Sequence, residues 1–119
     1  MPKKEYINYK SVKRTATGPL SYAKIEAWNT TKQIGRMRVK GKAVLLLRGK
    51  LQTHIKGDLT GHWVEFEESA VVPGERRPGY TGPVSKVLNI GAIVHDKVTV
   101  ARLEANYNPP DKPLAIPGV

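Results

Sequence analysis

Short β-branched and aromatic runs, separated by clusters of Gly, Pro, Asn and Asp, set the rhythm of this chain. No window keeps apolar residues at helical spacing over three turns, and no heptad or longer repeat is visible. The pattern predicts strands over residues 22–29, 35–48, 50–56, 62–72, 85–94 and 98–107, with helix a minor component at most. "HDK" sits between "LNIGAIV" and "VTVARLEANY", so residues 85–107 read as a hairpin closed by a polar turn. "KGDLTGH" marks a second turn ahead of "WVEFEE". Three prolines and three glycines in "VPGERRPGYTGP", residues 72–83, exclude regular structure from most of that stretch and predict an exposed loop.

The expected fold is therefore all-β: a small antiparallel β-barrel, OB-like or SH3-like, or a sandwich, of five to six strands. It spans residues 21–108. A basic N-terminal arm, residues 1–20, precedes it, and a Pro-rich C-terminal tail, residues 109–119, follows; "NPPDKPLAIPGV" cannot pair in a central strand. Both ends are expected outside the barrel, with docking on a neighbour as one way to order them.

One segment is basic and apolar at once: "QIGRMRVKGKAVLLLRGK", residues 33–50. In a single long strand, alternate side chains point to opposite faces. Arg36, Arg38, Lys40 and Lys42 then share a cationic outer face, and Met37, Val39, Gly41, Ala43, Leu45 and Leu47 point inward. Cations on one face recur every ~6.6 Å, twice the strand rise, which is close to the phosphate spacing of an extended nucleic-acid strand. Arg48 and Lys50 resume the charge beyond the apolar run. Val44 and Leu46 break the alternation, which a bulge or bend near Gly41 repairs, as does burial of both faces. Edge protection by Lys and Arg is the competing account of the charges.

Surfaces that bind single-stranded nucleic acid join such a cationic track to aromatic rings on which bases stack. "YAKIEAW" places Tyr22, Lys24, Glu26 and Trp28 on one face, opposite Ala23, Ile25 and Ala27, so Tyr22 and Trp28 flanking Lys24 form a candidate stacking platform. Trp63 alternates with Glu65 and Glu67 and reads as a rim or core aromatic. In the long loop, Arg76 and Arg77 are candidate phosphate clamps and Tyr80 a candidate stacking ring. The arm adds Lys3, Lys4, Lys10, Lys13 and Arg14 with Tyr6 and Tyr9.

Charge sharpens this picture. The 119 residues carry a formal net charge of +10. Residues 1–57 hold 14 Lys or Arg against Glu5 and Glu26, or +12, whereas residues 58–119 hold 6 against 8, or −2. An excess confined to one half points to a polyanionic partner, nucleic acid first. The absence of cysteine excludes disulfides, thiolate nucleophiles and Cys-based metal sites. No phosphate-binding loop, dinucleotide fingerprint, zinc signature or EF-hand occurs, and His54, His62 and His95 lack metal-ligand spacing. Glu65, Glu67 and Glu68 read as solvated charge, and no serine stands in a nucleophile elbow.

No apolar run is long enough to span a membrane, and no apolar stretch follows the basic N-terminus, which makes the cytoplasm the expected compartment. These readings predict a non-enzymatic protein without metal or cofactor. It binds DNA or RNA, single-stranded in preference, with low sequence specificity. The alternative is a structural component of a virion, ribosome or other nucleoprotein assembly, or a homo-oligomer, whose arm and tail dock on neighbouring subunits.

Overall fold

The computed structural model describes residues 19–53, 55–74 and 86–117, and the backbone of 4–7 and 13–16. Strands β1 (Lys4–Ile7) and β2 (Lys13–Ala16) pair with each other in a small antiparallel sheet. The rest is mainly β: one mixed, strongly curled half-barrel sheet followed by one short C-terminal helix. Its strands are β3 (Leu20–Asn29), β4 (Ile34–Val39), β5 (Lys42–Leu47), β6 (Leu51–Gln52), β7 (Trp63–Glu67), β8 (Val71–Pro73), β9 (Lys86–Leu88) and β10 (Gly91–Ile93), and helix α1 covers Lys97–Ala105.

The order across the sheet is β6-β10-β7-β3-β4-β5-β9-β8. Most pairs are antiparallel, as expected, but β5 runs parallel to β9 and β6 parallel to β10. The larger strand number arises from corners. The expected strand 35–48 divides at Lys40–Gly41 into β4 and β5, a 3-10 turn at Glu68–Ala70 divides 62–72 into β7 and β8, and Asn89–Ile90 separates β9 from β10, while a 3-10 turn at Arg48–Lys50 forms the corner between β5 and β6. Along the chain the eight strands are thus five segments: β3, β4, β5–β6, β7–β8 and β9–β10. Numbered in that order, the first pairs with the second and fourth, the second with the third, and the fifth with both third and fourth.

One core fills the concave side, and both ends of the sheet supply it: Leu51 from β6, Leu88 from β9, and Ile25, Met37, Val44, Leu46, Val64 and Phe66 from the middle. Leu59, in the connection between β6 and β7, is also fully buried there.

Two local devices set which side chains reach this core, and both depart from simple alternation. Residues 35–48 are not one strand. Lys40 and Gly41 both take positive φ, 50° and 79°, and form a two-residue turn with Val39 opposite Lys42. A turn with two left-handed residues matches the twist of the strands it joins, and Gly41 supplies one of them without strain. The fold-back resets the phase: Val44 and Leu46 pair with Met37 and Gly35 and point inward, whereas Ala43 is exposed and Leu45 and Leu47 are half-buried. The second device is a β-bulge. Ile25 pairs with Met37 but Ala27 with Arg36, which leaves Glu26 as the extra residue. Beyond it Trp28, opposite Gly35, turns into the core.

The expected hairpin over 85–107 fails at its second half, because 97–105 is helical. Asp96 accepts a 3.1 Å hydrogen bond from the Thr99 amide and another from the Thr99 hydroxyl, capping the helix start. The β-branched residues behind the strand reading, Val98, Thr99 and Val100, occupy the first turn. No residue of α1 is fully buried, and Val98 is 78% exposed. The helix therefore has no broad apolar stripe for sequence periodicity to reveal.

Gly35 is where the sheet leaves least room. A Cβ there would lie 2.8 Å from the Ala27 carbonyl oxygen and against the Trp28 ring. Gly35→Ala is therefore expected to lower unfolding stability by about 1–3 kcal/mol, the usual cost of overpacking a filled core. Urea denaturation measures this as a lower midpoint at unchanged slope; an unchanged midpoint would show that Trp28 moves aside freely.

Candidate nucleic-acid interface

The outward side of the sheet carries two neighbouring clusters. On β3 and β7, Lys24 pairs with Trp63 and Tyr22 with Glu65, all facing away from the core. Helix α1 and the residue two beyond it lie over the first pair. Glu104 accepts a 2.8 Å hydrogen bond from the Trp63 indole N–H and forms a 2.8 Å ion pair with Lys24. The Tyr107 ring meets Trp63 edge-on at 5.5 Å, and the Lys24 ammonium stands 4.6 Å from the Tyr107 centroid. Trp63 is consequently buried on the outer face rather than in the core. The two hydrogen bonds, from Lys24 foremost and then from Trp63, hold the Glu104 carboxyl below its ordinary range.

Tyr22 donates to Glu65 at 3.1 Å. Burial, with the adjacent Glu65 charge, pushes its phenol above the ordinary value, so it stays a neutral donor. The expected platform is not assembled, however. Tyr22 and Lys24 do face outward, but the bulge sends Trp28 to the opposite side, where it is 3% exposed and its indole nitrogen has no hydrogen-bond partner among the described residues.

The second cluster lies on β3 and β4. Glu26, the bulge residue, has a side chain only 7% exposed and receives the Arg38 guanidinium through Nε at 3.0 and 3.3 Å. Its Oε1 also accepts the Leu114 amide N–H at 3.1 Å. Residues 111–117 run across this face. Arg38 Nη2 donates to the Lys112 carbonyl at 2.8 Å, Arg36 Nη1 to the Ala115 carbonyl at 3.2 Å, and Asn29 Nδ2 to the Pro117 carbonyl at 2.9 Å. The Pro-rich tail, expected outside the barrel, thus lies on the outer side of its own sheet and is held there by side chains rather than by a strand ladder. Proline removes backbone donors but leaves every carbonyl able to accept.

The remaining cations spread over the strands and corners. Lys40 stands in the turn and makes an exposed 3.1 Å pair with Glu68, so the four-cation row reduces to Arg36 and Arg38 on β4 with Lys40 and Lys42 around the bend. Arg48 donates to the Thr53 carbonyl at 3.4 Å and Lys50 to the Asn89 side chain at 3.3 Å, contacts that fix the corner between β5 and β6. Lys42 and Lys86 are exposed at one end of the sheet. Their neighbours locate them: Val39 opposite Lys42, Val44 beside Lys86, and Pro73 opposite Lys86. Arg76, Arg77 and Tyr80 belong to residues 75–85, outside the described residues.

Sequence reading passed over Lys86 and the tail carbonyls, and it used Glu26 only to mark a face and to balance charge. Glu26 did carry a signal, as the sole acid between residues 6 and 57. Among the described residues, no group of three or more His, Asp or Glu side chains could hold a metal ion, and no helix is long and apolar enough to cross a membrane. No family model matches the chain, and no curated protein or solved structure matches it significantly.

The Glu104 tie gives a pH dependence of definite sign. A carboxyl with a lowered folded pKa leaves the unfolded chain holding more protons, so stability falls as pH drops below the ordinary value of 4.5. Asp58 and Asp96, each held low by hydrogen bonds from a neighbouring threonine, act in the same direction. Glu104→Gln is expected to flatten part of the fall in melting temperature on the acid side and leave the share of the two aspartates. An acid limb identical to the parent's would show that Glu104 does not tie α1 to the sheet.

Proposed function

We propose that this protein binds single-stranded nucleic acid, with little sequence selectivity, across the outward face of β4 and β5. The fold reading behind this is an OB-like barrel. Five chain segments, with the fifth placed between the third and fourth and parallel to the third, fit the five-stranded, partly open Greek-key plan of such barrels. In that plan oligonucleotides lie on the second and third segments, flanked by the loops after the first and fourth. Here these are β4, β5–β6, residues 30–33 and the connection from β8 to β9.

The observation that carries the reading is the chemistry of that face. Arg36 and Arg38 project outward from β4 beside Ala43, Leu45 and Leu47 of β5, which puts guanidinium donors next to half-buried aliphatic surface. Arginine suits phosphate oxygens, and apolar side chains suit the faces of unstacked bases. Lys40, Lys42 and Lys86 extend the positive potential at one end. From that same end the chain leaves β8 for the segment containing Arg76, Arg77 and Tyr80, and it returns in β9. Tyr22 and Lys24 lie on the adjoining outward face of β3. Arg48 and Lys50 add charge at the far corner while holding it in shape. The contacts are to backbone phosphate and base surface, which is why sequence selectivity is low.

A role in assembly has one observation in its favour. The β1–β2 hairpin pairs only with itself among the described strands, and an isolated two-stranded hairpin is marginal in water. The tail no longer supports that role, since its described residues contact their own sheet.

Binding of a fluorescent oligothymidine, followed by anisotropy at several salt concentrations, tests the proposal. Affinity should fall steeply with salt and exceed that for a matched duplex or an acidic polypeptide. Lys42→Glu with Lys86→Glu breaks no described contact and should weaken binding about tenfold or more, with a shallower salt slope. Equal binding to every polyanion, or none, would overturn the reading; higher-order association alongside weak binding would favour assembly.

A further inference from the structure

We propose that residues 112–117 are a built-in occupant of the nucleic-acid track, and that a single strand displaces them when it binds. The inference rests on the nucleic-acid reading above and adds the regulation of the same site.

The tail occupies the face as an extended polyanion would. Its direction is fixed by three contacts: Lys112 at Arg38, Ala115 at Arg36 and Pro117 at Asn29. The segment therefore runs antiparallel to β4, presenting carbonyl oxygens in succession to a row of side-chain donors. The two arginines are two residues apart on one strand, about 6.6 Å at the usual rise, a spacing that also suits successive phosphates of an extended single strand. In the intact chain neutral carbonyl oxygens stand where phosphate oxygens would.

The docking is shallow. Asp111, Lys112, Pro113, Ala115 and Ile116 are exposed, Leu114 is half-buried, and Pro117 is the one buried residue of the stretch. Four hydrogen bonds between side chains of the sheet and backbone groups of the tail, one made by Glu26 and one by its partner Arg38, make up its polar attachment among the described residues. Pro109, Pro110, Pro113 and Pro117 keep the chain extended and lower the entropy lost on docking, which lets so few contacts order it. Guanidinium hydrogen bonds to phosphate are charge-assisted and stronger than those to a carbonyl, so a phosphate strand competes for Arg36 and Arg38 with an electrostatic advantage the tail lacks. Glu26 works against that exchange. It holds the Leu114 amide and neutralises Arg38 while the tail is down.

Two measurements on the full chain test the exchange. Hydrogen exchange at the Leu114 amide, which Glu26 protects, is followed with and without saturating oligothymidine; several-fold faster exchange in the complex is expected. Leu114→Pro removes this N–H, with melting temperature as the check on folding. If the intact tail is open about a tenth of the time, releasing it should tighten oligothymidine binding about tenfold. Should the variant not fold, the exchange measurement on the parent chain decides alone. Binding with the Leu114 amide equally or more protected overturns the displacement and leaves the nucleic-acid reading standing. Failure of both parent and folded variant to bind overturns that reading, and the displacement with it.

Discussion

A short chain that curls one sheet around a single core must bend every long segment, and the positions of the bends decide which side chains face out. Here the bends are the bulge at Glu26, the turn at Lys40–Gly41, the 3-10 corners at Arg48–Lys50 and Glu68–Ala70, and the break at Asn89–Ile90. Each shifts the phase of alternation or carries a strand from one part of the sheet to another. Without the bulge, strict alternation would put Trp28 on the outer face with Lys24 and Glu26. With it the largest core aromatic closes over the smallest residue, while Glu26, the extra residue, keeps its carboxylate on the outer side with Arg38. One inserted residue thus connects the packing of the core to the electrostatics of the outer surface.

The outer surface in turn depends on the last fifth of the chain, from residue 97 on. Helix α1 contributes little by burial, since none of its residues is fully buried, and it is tied down by Glu104 through Trp63 and Lys24. The tail then crosses from β4 toward the end of β3. Asn29 serves both structures, since its side-chain oxygen accepts the amides of Thr31 and Lys32 in the turn after β3 while its nitrogen holds Pro117. The first turn of the sheet and the end of the tail are therefore coupled through one side chain.

How much of this was legible in the sequence follows from the range of the interactions involved. The β-rich class and the approximate strand regions were, because alternation and turn residues act over a few positions. The phase within those regions was not: "VKGK" reads as continuous strand unless Lys40 is allowed a positive φ, and a bulge leaves no composition signature in "KIEAW". The helix was misread because Val98, Thr99 and Val100 favour strand locally, while the deciding contacts, the Asp96 cap and the Glu104 tie, depend on short-range geometry and on a partner 41 residues away. At the site, the charge of β4 was visible and its outward direction was read correctly for Arg36 and Arg38. That a Pro-rich tail would meet those arginines required the three-dimensional path of the chain.

The charge distribution also takes a different meaning once folded. The acidic second half partly neutralises the basic first half, Glu68 at Lys40 and Glu104 at Lys24, while Glu26 serves Arg38 from within the first half. The exposed pair of Lys40 and Glu68 contributes little energy, and none of these pairs abolishes the field around it. Lys42 and Lys86 are left at one end of the sheet without a described acidic partner, and Arg36 is met by a neutral carbonyl. A protein selecting only for solubility gains nothing from gathering uncompensated cations beside an extended, weakly held segment that uses the same donors. Under the proposed function both features have a use: the lysines would attract a phosphate strand at long range, and the tail would make full occupation of the arginines depend on a ligand extended enough to replace it.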